Sequence, residues 1–399
     1  APIRILCSCT PSPAGLVVEE LRIQSAPISL TGSGNASQGT FTLQGTTEYD
    51  LEALVQRFRP FIGPEVQLSG TRRGSFRLQG PLPLTGRHDL TNQSERASTA
   101  RSEHQKHPAS ELEGMIQLGW QQAIVYGLHI GPGDLRVELA DGIVSIPPVQ
   151  VPVSDGRFLA SSTLDLNSTP LSLLVTAGPI LDNVRLSPEM CRTWMQYLAP
   201  LLADATRVEG RLSLALSQAA RVPLHDPASS RVEGYLEIHG AQVSPGPQSV
   251  ELNRVAQQVR SLVTGQPPSA TRNDTAVWFE LPKQPLPFTV RDRRVFHERL
   301  SIHIGDVIVQ TRGSVGFDES LELVAEIPVR QEWFRDRPRL AAAFTGTTLR
   351  IPIRGSLDQP RLDTSSLQDL GRDTLENAAG RILEQELGRG LQRLFGPVR

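Results

Sequence analysis

The sequence predicts a mainly β fold with a few α-helices: elongated, twisted antiparallel β-sheet repeats forming a hydrophobic groove, capped by a C-terminal amphipathic helix. Three observations predict it. Short runs of alternating apolar and polar residues, punctuated by glycine, recur along all 399 residues. Aromatic residues are only 5%, with 33 glycines and 31 prolines, the profile of many short strands joined by turns. Helical periodicity is confined to a few segments lying between or after the strand blocks.

In chain order, residues 1–85 form a first strand block. Residues 14–45 already read as strands in mid-pattern, as expected of part of a longer chain, and strands follow at Val66–Leu68 and Ser75–Leu78. Leu51, Leu54, Val55, Phe58 and Ile62 share one face of a helix over 50–62, which Pro60 and Gly63 help to end. Residues 86–114 hold almost no apolar side chain, so they cannot offset the entropy of ordering and are expected to be a disordered insertion. His88, His104 and His107 within it are read as solvated rather than metal-binding.

Residues 115–265 form a second block, with strands at Asp134–Leu139, Leu159–Leu166, Arg211–Leu216 and Val232–Ile238. A helix is expected over 188–203, because Met190, Trp194, Tyr197, Leu198 and Leu201 share a face behind the start signal Ser187, Pro188, Glu189. Another is expected over 250–263, where Val255, Val259, Leu262 and Val263 fall together.

Residues 275–363 form the third block, with strands at Leu300–Ile304, Val307–Gln310, 321–329 and Leu349–Ile353. In "LELVAEIPV", Leu321, Leu323, Ala325, Ile327 and Val329 lie on one face and Glu322 and Glu326 on the other. Gly355 and an Asp-Gln-Pro turn stop the last strand, and Ser365 with Gln368 caps a helix over 364–396. Leu367, Leu370, Leu375, Ala378 and Ile382 share one face of it; Leu383, Leu387, Leu391 and Leu394 share nearly the opposite one. This helix either kinks near Gly380–Gly390 or offers a second apolar face to a partner or membrane.

The chain also matches itself. At an offset of 140, Pro60 falls on Pro200, Gly70 on Gly210 and Pro83 on Pro223; at 151, Val149, Val151, Val153 and Leu164 fall on Leu300, Ile302, Ile304 and Val315. A repeated unit of several antiparallel strands plus one helix follows. Few helices are available to cover the apolar face of so long a sheet, so that face must curl on itself, meet a partner or hold an apolar ligand.

Charge and motifs exclude other classes. The net charge is -2, with 40 basic and 42 acidic residues spread along the chain, so no nucleic-acid footprint appears. No run approaches the roughly 20 apolar residues that span a bilayer. Cys7 and Cys9 are too close in sequence to bridge easily, and Cys191 reads as a buried helix residue. His297, Glu298 and Asp292 suggest an acid–base group, but adjacent strand residues point to opposite faces, and no hydrolase, zinc or phosphate-loop motif is present. No enzyme activity and no cofactor are expected.

The strand followed by "GSLDQPRLD" at Gly355–Asp363, and the helix ending in "GRGLQRLFG" at Gly388–Gly396, resemble the C-terminal end of AsmA-like proteins of the bacterial envelope. The block "VFHERLSIHIGDVIVQTRGSVGFDESLELVAEIPV" at Val295–Val329 looks like the strand pattern preceding that end. The resemblance runs from the start of that block to the C-terminus, and the rest of the chain matches in style only. It implies a long groove related to TamB and to bridge-like lipid transfer proteins, a periplasmic body, and an N-terminal inner-membrane anchor that is missing from this chain. Phospholipid or another acyl-chain lipid is then the expected partner, with Ile302, Ile304, Leu321, Leu323, Ile327, Leu349, Ile351 and Ile353 as groove candidates. Leu383, Leu387, Leu391 and Leu394 are the candidates for contact with a partner or membrane. The alternative is an envelope scaffold that binds a protein through the terminal helix or a sheet edge.

Overall fold

The structure, a computed structural model, describes residues 3–13, 15–82, 111–203, 205–244, 279–305, 307–328, 330 and 348–362. Among the described residues the alternating runs form one antiparallel sheet of 24 strands. The first ten are β1 (Arg4–Ser12), β2 (Gly15–Ser25), β3 (Ile28–Ser37), β4 (Thr40–Asp50), β5 (Val66–Ser69), β6 (Thr71–Pro81), β7 (Glu113–Trp120), β8 (Gln122–Val125), β9 (Leu128–Ile130) and β10 (Gly133–Ala140). Next come β11 (Ile143–Val153), β12 (Gly156–Asp165), β13 (Ser172–Val175), β14 (Gly178–Arg185), β15 (Arg207–Leu216), β16 (Ala220–Pro223) and β17 (Val232–Ser244). The last seven are β18 (Phe279–Leu281), β19 (Gln284–Arg291), β20 (Arg294–Ile304), β21 (Val307–Gly316), β22 (Ser320–Pro328), β23 (Thr348–Ser356) and β24 (Pro360–Leu362).

Every strand pairs with the one before it and the one after it, once short strands divided by a bend are read together. Thus β5 and β6, split at Gly70, face β8 and β7, split at Gln121, in nearly one register: Ser69 opposes Gln122 and Phe76 opposes Ile116. Tight turns make this meander possible. A two-residue type I′ turn follows the strand twist and needs positive φ at both central residues, and Gln38–Gly39, Tyr126–Gly127 and Asp141–Gly142 all adopt it.

Helical insertions interrupt the meander at intervals. Helix α1 (Leu51–Ile62) lies between β4 and β5, capped by Asp50, whose side chain accepts from Ala53 N, and ended at Gly63 at φ 81°. Helix α2 (Pro188–Thr193) lies between β14 and β15, six strands further across the sheet, capped by the Ser187 side chain accepting from Met190 N. The two insertions start alike: Leu51 N donates to Gly70 O at 3.2 Å, and Leu186 N donates to Gly210 O at 3.0 Å.

A second correspondence is closer. The hairpins β11–β12 and β20–β21 match bound for bound at the larger of the two sequence offsets: Ile143 falls on Arg294, Val153 on Ile304, Gly156 on Val307 and Asp165 on Gly316. Each also carries a register irregularity at the same point, between Ile146 and Val149 in one and between His297 and Leu300 in the other.

Three expectations need comment. The continuous helix expected over 188–203 is instead α2 followed by 3-10 turns at Met195–Tyr197 and Pro200–Leu202. Pro200 explains the second interruption, between the two 3-10 turns, since a proline disfavours the helical region for the residue before it and Ala199 sits at φ -135°, ψ 68°. The polar insertion ends earlier than expected, because β7 already starts at Glu113; residues 83–110 lie outside the described residues. The helices expected over 250–263 and 364–396, with Leu383, Leu387, Leu391 and Leu394, also lie outside them.

The core sits in the C-terminal part. Met190, Cys191, Met195, Ala199 and Leu202 from the α2 insertion cluster with Leu212, Leu236, Leu286, Ile302 and Val315 of the sheet. The insertion also reaches the β21–β22 turn, where the Tyr197 and Phe317 rings meet edge to face at 5.4 Å. Four pairings separate β15 from β21, and a twist of about 20–25° per pairing turns the strands by about 80–100°. That rotation wraps this half of the sheet around the insertion.

Candidate functional site

The candidate site is the apolar face of the sheet, which differs between its two ends. At the C-terminal end it is filled. Ile302, Ile304, Leu321, Leu323, Ile327, Ile351 and Ile353 share one face of β20, β22 and β23 and are 0–4% exposed. Cross-strand partners lie on the same face, and Leu323 opposes Ile353 while Ile327 opposes Leu349, whose side chain is outside the described set. The structure therefore brings the groove candidates together but places them in a closed core, not along an open channel.

The accessible stretch is N-terminal. There the same face carries Leu21 and Ile23 on β2, Leu30 on β3, and Phe41 and Leu43 on β4, all half-buried. It continues through Phe76 and Leu78 on β6, Ile116 and Leu118 on β7, and Leu135, Val137 and Leu139 on β10. Register keeps these in line: Ile23 opposes Leu30, Leu43 opposes Leu78, Phe76 opposes Ile116 and Ile116 opposes Val137. Arg22, Thr31, Gln44, Arg73 and Arg77 occupy the other face and are exposed. Both described helices pack elsewhere, α1 on β5 and the end of β4, and α2 in the C-terminal core.

Glycines shape the floor of this stretch. A Cβ on Gly32 would lie 2.9 Å from the Phe76 ring, and one on Gly45 would also lie 2.9 Å from it. The ring therefore lies flat across two neighbouring strands, filling the space that two missing side chains leave. Toward one rim the face becomes polar: Thr47 donates to Gly74 O at 3.4 Å, the Tyr49 hydroxyl engages the Gly119 backbone, and Arg72, opposite Tyr49, donates from Nη2 to Trp120 O at 3.1 Å while its buried Nε has no partner.

The face connects the two ends. Leu139 on β10 opposes Val144 on β11, Val151 opposes Phe158 on β12, and Phe158 opposes Leu181 on β14, which belongs to the closed core. An apolar object on β2–β10 would thus meet the α2 insertion as an end stop.

The acid–base residues are not brought together. His297 is buried, with Nε2 3.1 Å from Thr311 Oγ1 and Nδ1 without a partner, whereas Glu298 is exposed at the irregularity in β20. Burial holds the imidazole near a pKa of about 4. Among the described residues no group of three or more His, Cys, Asp or Glu could hold a metal ion, and no helix is long and apolar enough to cross a membrane.

The N-terminal ladder is missing from the candidates named from sequence, although its alternation is as regular as theirs. Its distinguishing signal is the row of glycines at Gly32, Gly34, Gly45, Gly74 and Gly114, which keeps this part of the face low and open to large side chains. Compared with known proteins, the chain matches no family model, no curated protein and no solved structure.

Proposed function

We propose that this chain binds acyl-chain lipid along the apolar face of β2–β10 and serves phospholipid transport or outer-membrane biogenesis in a cell envelope, without catalysing a reaction. The observation that carries the reading is the contrast along one continuous face, half-buried on β2, β3, β4, β6, β7 and β10, where among the described residues neither helix packs beyond the end of β4, and closed around the α2 insertion beyond. Six adjacent strands 4.7–4.9 Å apart give an apolar strip about 24 Å across, longer than the ~15 Å of one leaflet of a ~30 Å hydrocarbon core. Burial of apolar area at about 25 cal/mol per Å² would hold a lipid tail there without specific chemistry. The paired helical insertions and the matching hairpins β11–β12 and β20–β21 support a repeated unit, which suits an elongated conduit. The envelope setting rests on the resemblance of the sequence between Gly355 and Gly396 to the C-terminal end of AsmA-like proteins.

The test is lipid extraction and mass spectrometry on the chain purified without detergent, beside the double variant Leu43→Glu, Phe76→Glu. Near-stoichiometric phospholipid in the wild type, lost in a variant of unchanged circular dichroism, supports the reading. A folded, lipid-free wild type sinks it.

A second reading, an envelope scaffold, is favoured by β1. It is nine residues long and pairs with β2 alone among the described strands, so its outer edge can add a strand from a partner. A lipid-free protein that captures an envelope partner, and loses it on Leu6→Pro, would favour the scaffold.

A further inference from the structure

Cys7 and Cys9 lie on β1, the outermost of the described strands, with a single residue between them. Their cross-strand neighbours on β2 are Leu21 and Val18, so both thiols leave the same face of the sheet, beside the open end of the apolar ladder. Both side chains are exposed, and the two Sγ atoms are 3.2 Å apart. The pairing of β1 with β2 shifts register between Ser8 and Cys9, so the strand is irregular at this point.

Sequence spacing makes a bridge look difficult, but strand geometry makes it feasible. Two residues along a strand rise about 6.4–6.8 Å, at the upper end of the ~4.4–6.8 Å that Cα atoms span in disulfides. Reaching the bonded S–S distance of about 2.05 Å needs the sulfurs to close by about 1.2 Å. Rotation at the two χ1 angles and the local irregularity supply that movement.

We propose that Cys7 and Cys9 form a redox-active dithiol that closes to an intrastrand disulfide by exchange with a small-molecule disulfide. One thiolate attacks a sulfur of the donor, forming a mixed disulfide and releasing one donor thiol. The second thiolate then attacks the protein sulfur of that mixed disulfide, forming the Cys7–Cys9 bond and releasing the other donor thiol. Two protein thiols are oxidised and one donor disulfide is reduced to two thiols. A bridge at the limit of allowed geometry and open to solvent has a more oxidising potential than a buried structural one, so it reopens readily. The Cys9 thiol is held above its ordinary pKa, chiefly by its hydrogen bond with Cys7.

Cys191 serves as an internal control, since it is buried in the core and burial pushes its thiol up to about 12. The experiment treats the native chain and the variants Cys7→Ala and Cys9→Ala with oxidised glutathione, then alkylates under denaturing conditions and weighs the intact protein. In the wild type both exposed thiols should disappear with no glutathione retained, and dithiothreitol should restore them. Each single variant should retain one glutathione, and Cys191 should be alkylated in all three. The proposal is overturned if the wild type keeps both thiols, retains glutathione, or cross-links into dimers on a non-reducing gel. None of these outcomes depends on whether the protein binds lipid.

Discussion

The Tyr49 hydroxyl reaches from β4 over β6 to Gly119 on β7, accepting from its N–H at 2.5 Å and donating to its C=O at 3.1 Å. One buried side chain therefore satisfies both backbone groups of a residue two strands away and straps three strands at the rim of the apolar face. Tyr49→Phe keeps the ring and removes both bonds, leaving a buried donor and acceptor unpaired. The expected cost is about 1–3 kcal/mol, read as a lower urea midpoint at unchanged m-value. An unchanged midpoint would mean that water replaces the hydroxyl.

Open and filled parts of the same face respond oppositely to charge. Leu323 is 3% exposed among apolar neighbours, so Leu323→Glu buries an unpaired carboxylate and should destabilise by more than about 3 kcal/mol. Leu43 is half-buried on the stretch that neither described helix covers. Its carboxylate can reach water, so Leu43→Glu should change stability by less than about 1 kcal/mol while weakening the binding of a fluorescent fatty acid. Equal destabilisation by the two would show that the N-terminal face is covered as well.

The α2 insertion should behave as part of the core rather than as a mobile loop. Leu202 is 1% exposed and belongs to the central cluster, so Leu202→Ala removes packing worth about 2–5 kcal/mol. Ser187→Ala removes the cap on Met190 N and a long hydrogen bond to Gly127 O at 3.4 Å, the cap being worth about 1 kcal/mol. Thermal melts should place Ser187→Ala between the wild type and Leu202→Ala. The reverse order would indicate that the insertion packs loosely and that its cap is its main anchor.

Strand positions were legible because alternation is a local property: "LELVAEIPV" lies in β22 apart from its last residue, and Leu300–Ile304 and Val307–Gln310 lie in β20 and β21. The match of β11–β12 with β20–β21 was legible for the same reason, since turn spacing sets register. Which end of the face is closed was not legible, because it depends on twist accumulated over several pairings and on where Tyr197 finally meets Phe317. The groove candidates lie where the alternation is strongest, and strong alternation marks burial without saying what does the burying. The approach of the Cys7 and Cys9 sulfurs to 3.2 Å was not legible for a related reason: sequence distance hides the fact that positions i and i+2 of a strand face the same way.

His297 predicts an acid limit for the C-terminal core. Its only described hydrogen bond is to Thr311, its Nδ1 is unpartnered, and burial lowers its pKa to about 4 from an ordinary value near 6.5. The folded state therefore holds the neutral ring where the unfolded chain would already be protonated. Stability is full above about pH 6.5 and is lost progressively as pH falls toward about 4, by at most about 3 kcal/mol for this group. His297→Gln can keep a hydrogen bond to Thr311 without titrating, so the difference in stability between wild type and variant should shrink steadily from pH 7 to pH 4. A difference independent of pH would show that the imidazole reaches solvent or a proton acceptor before the core opens.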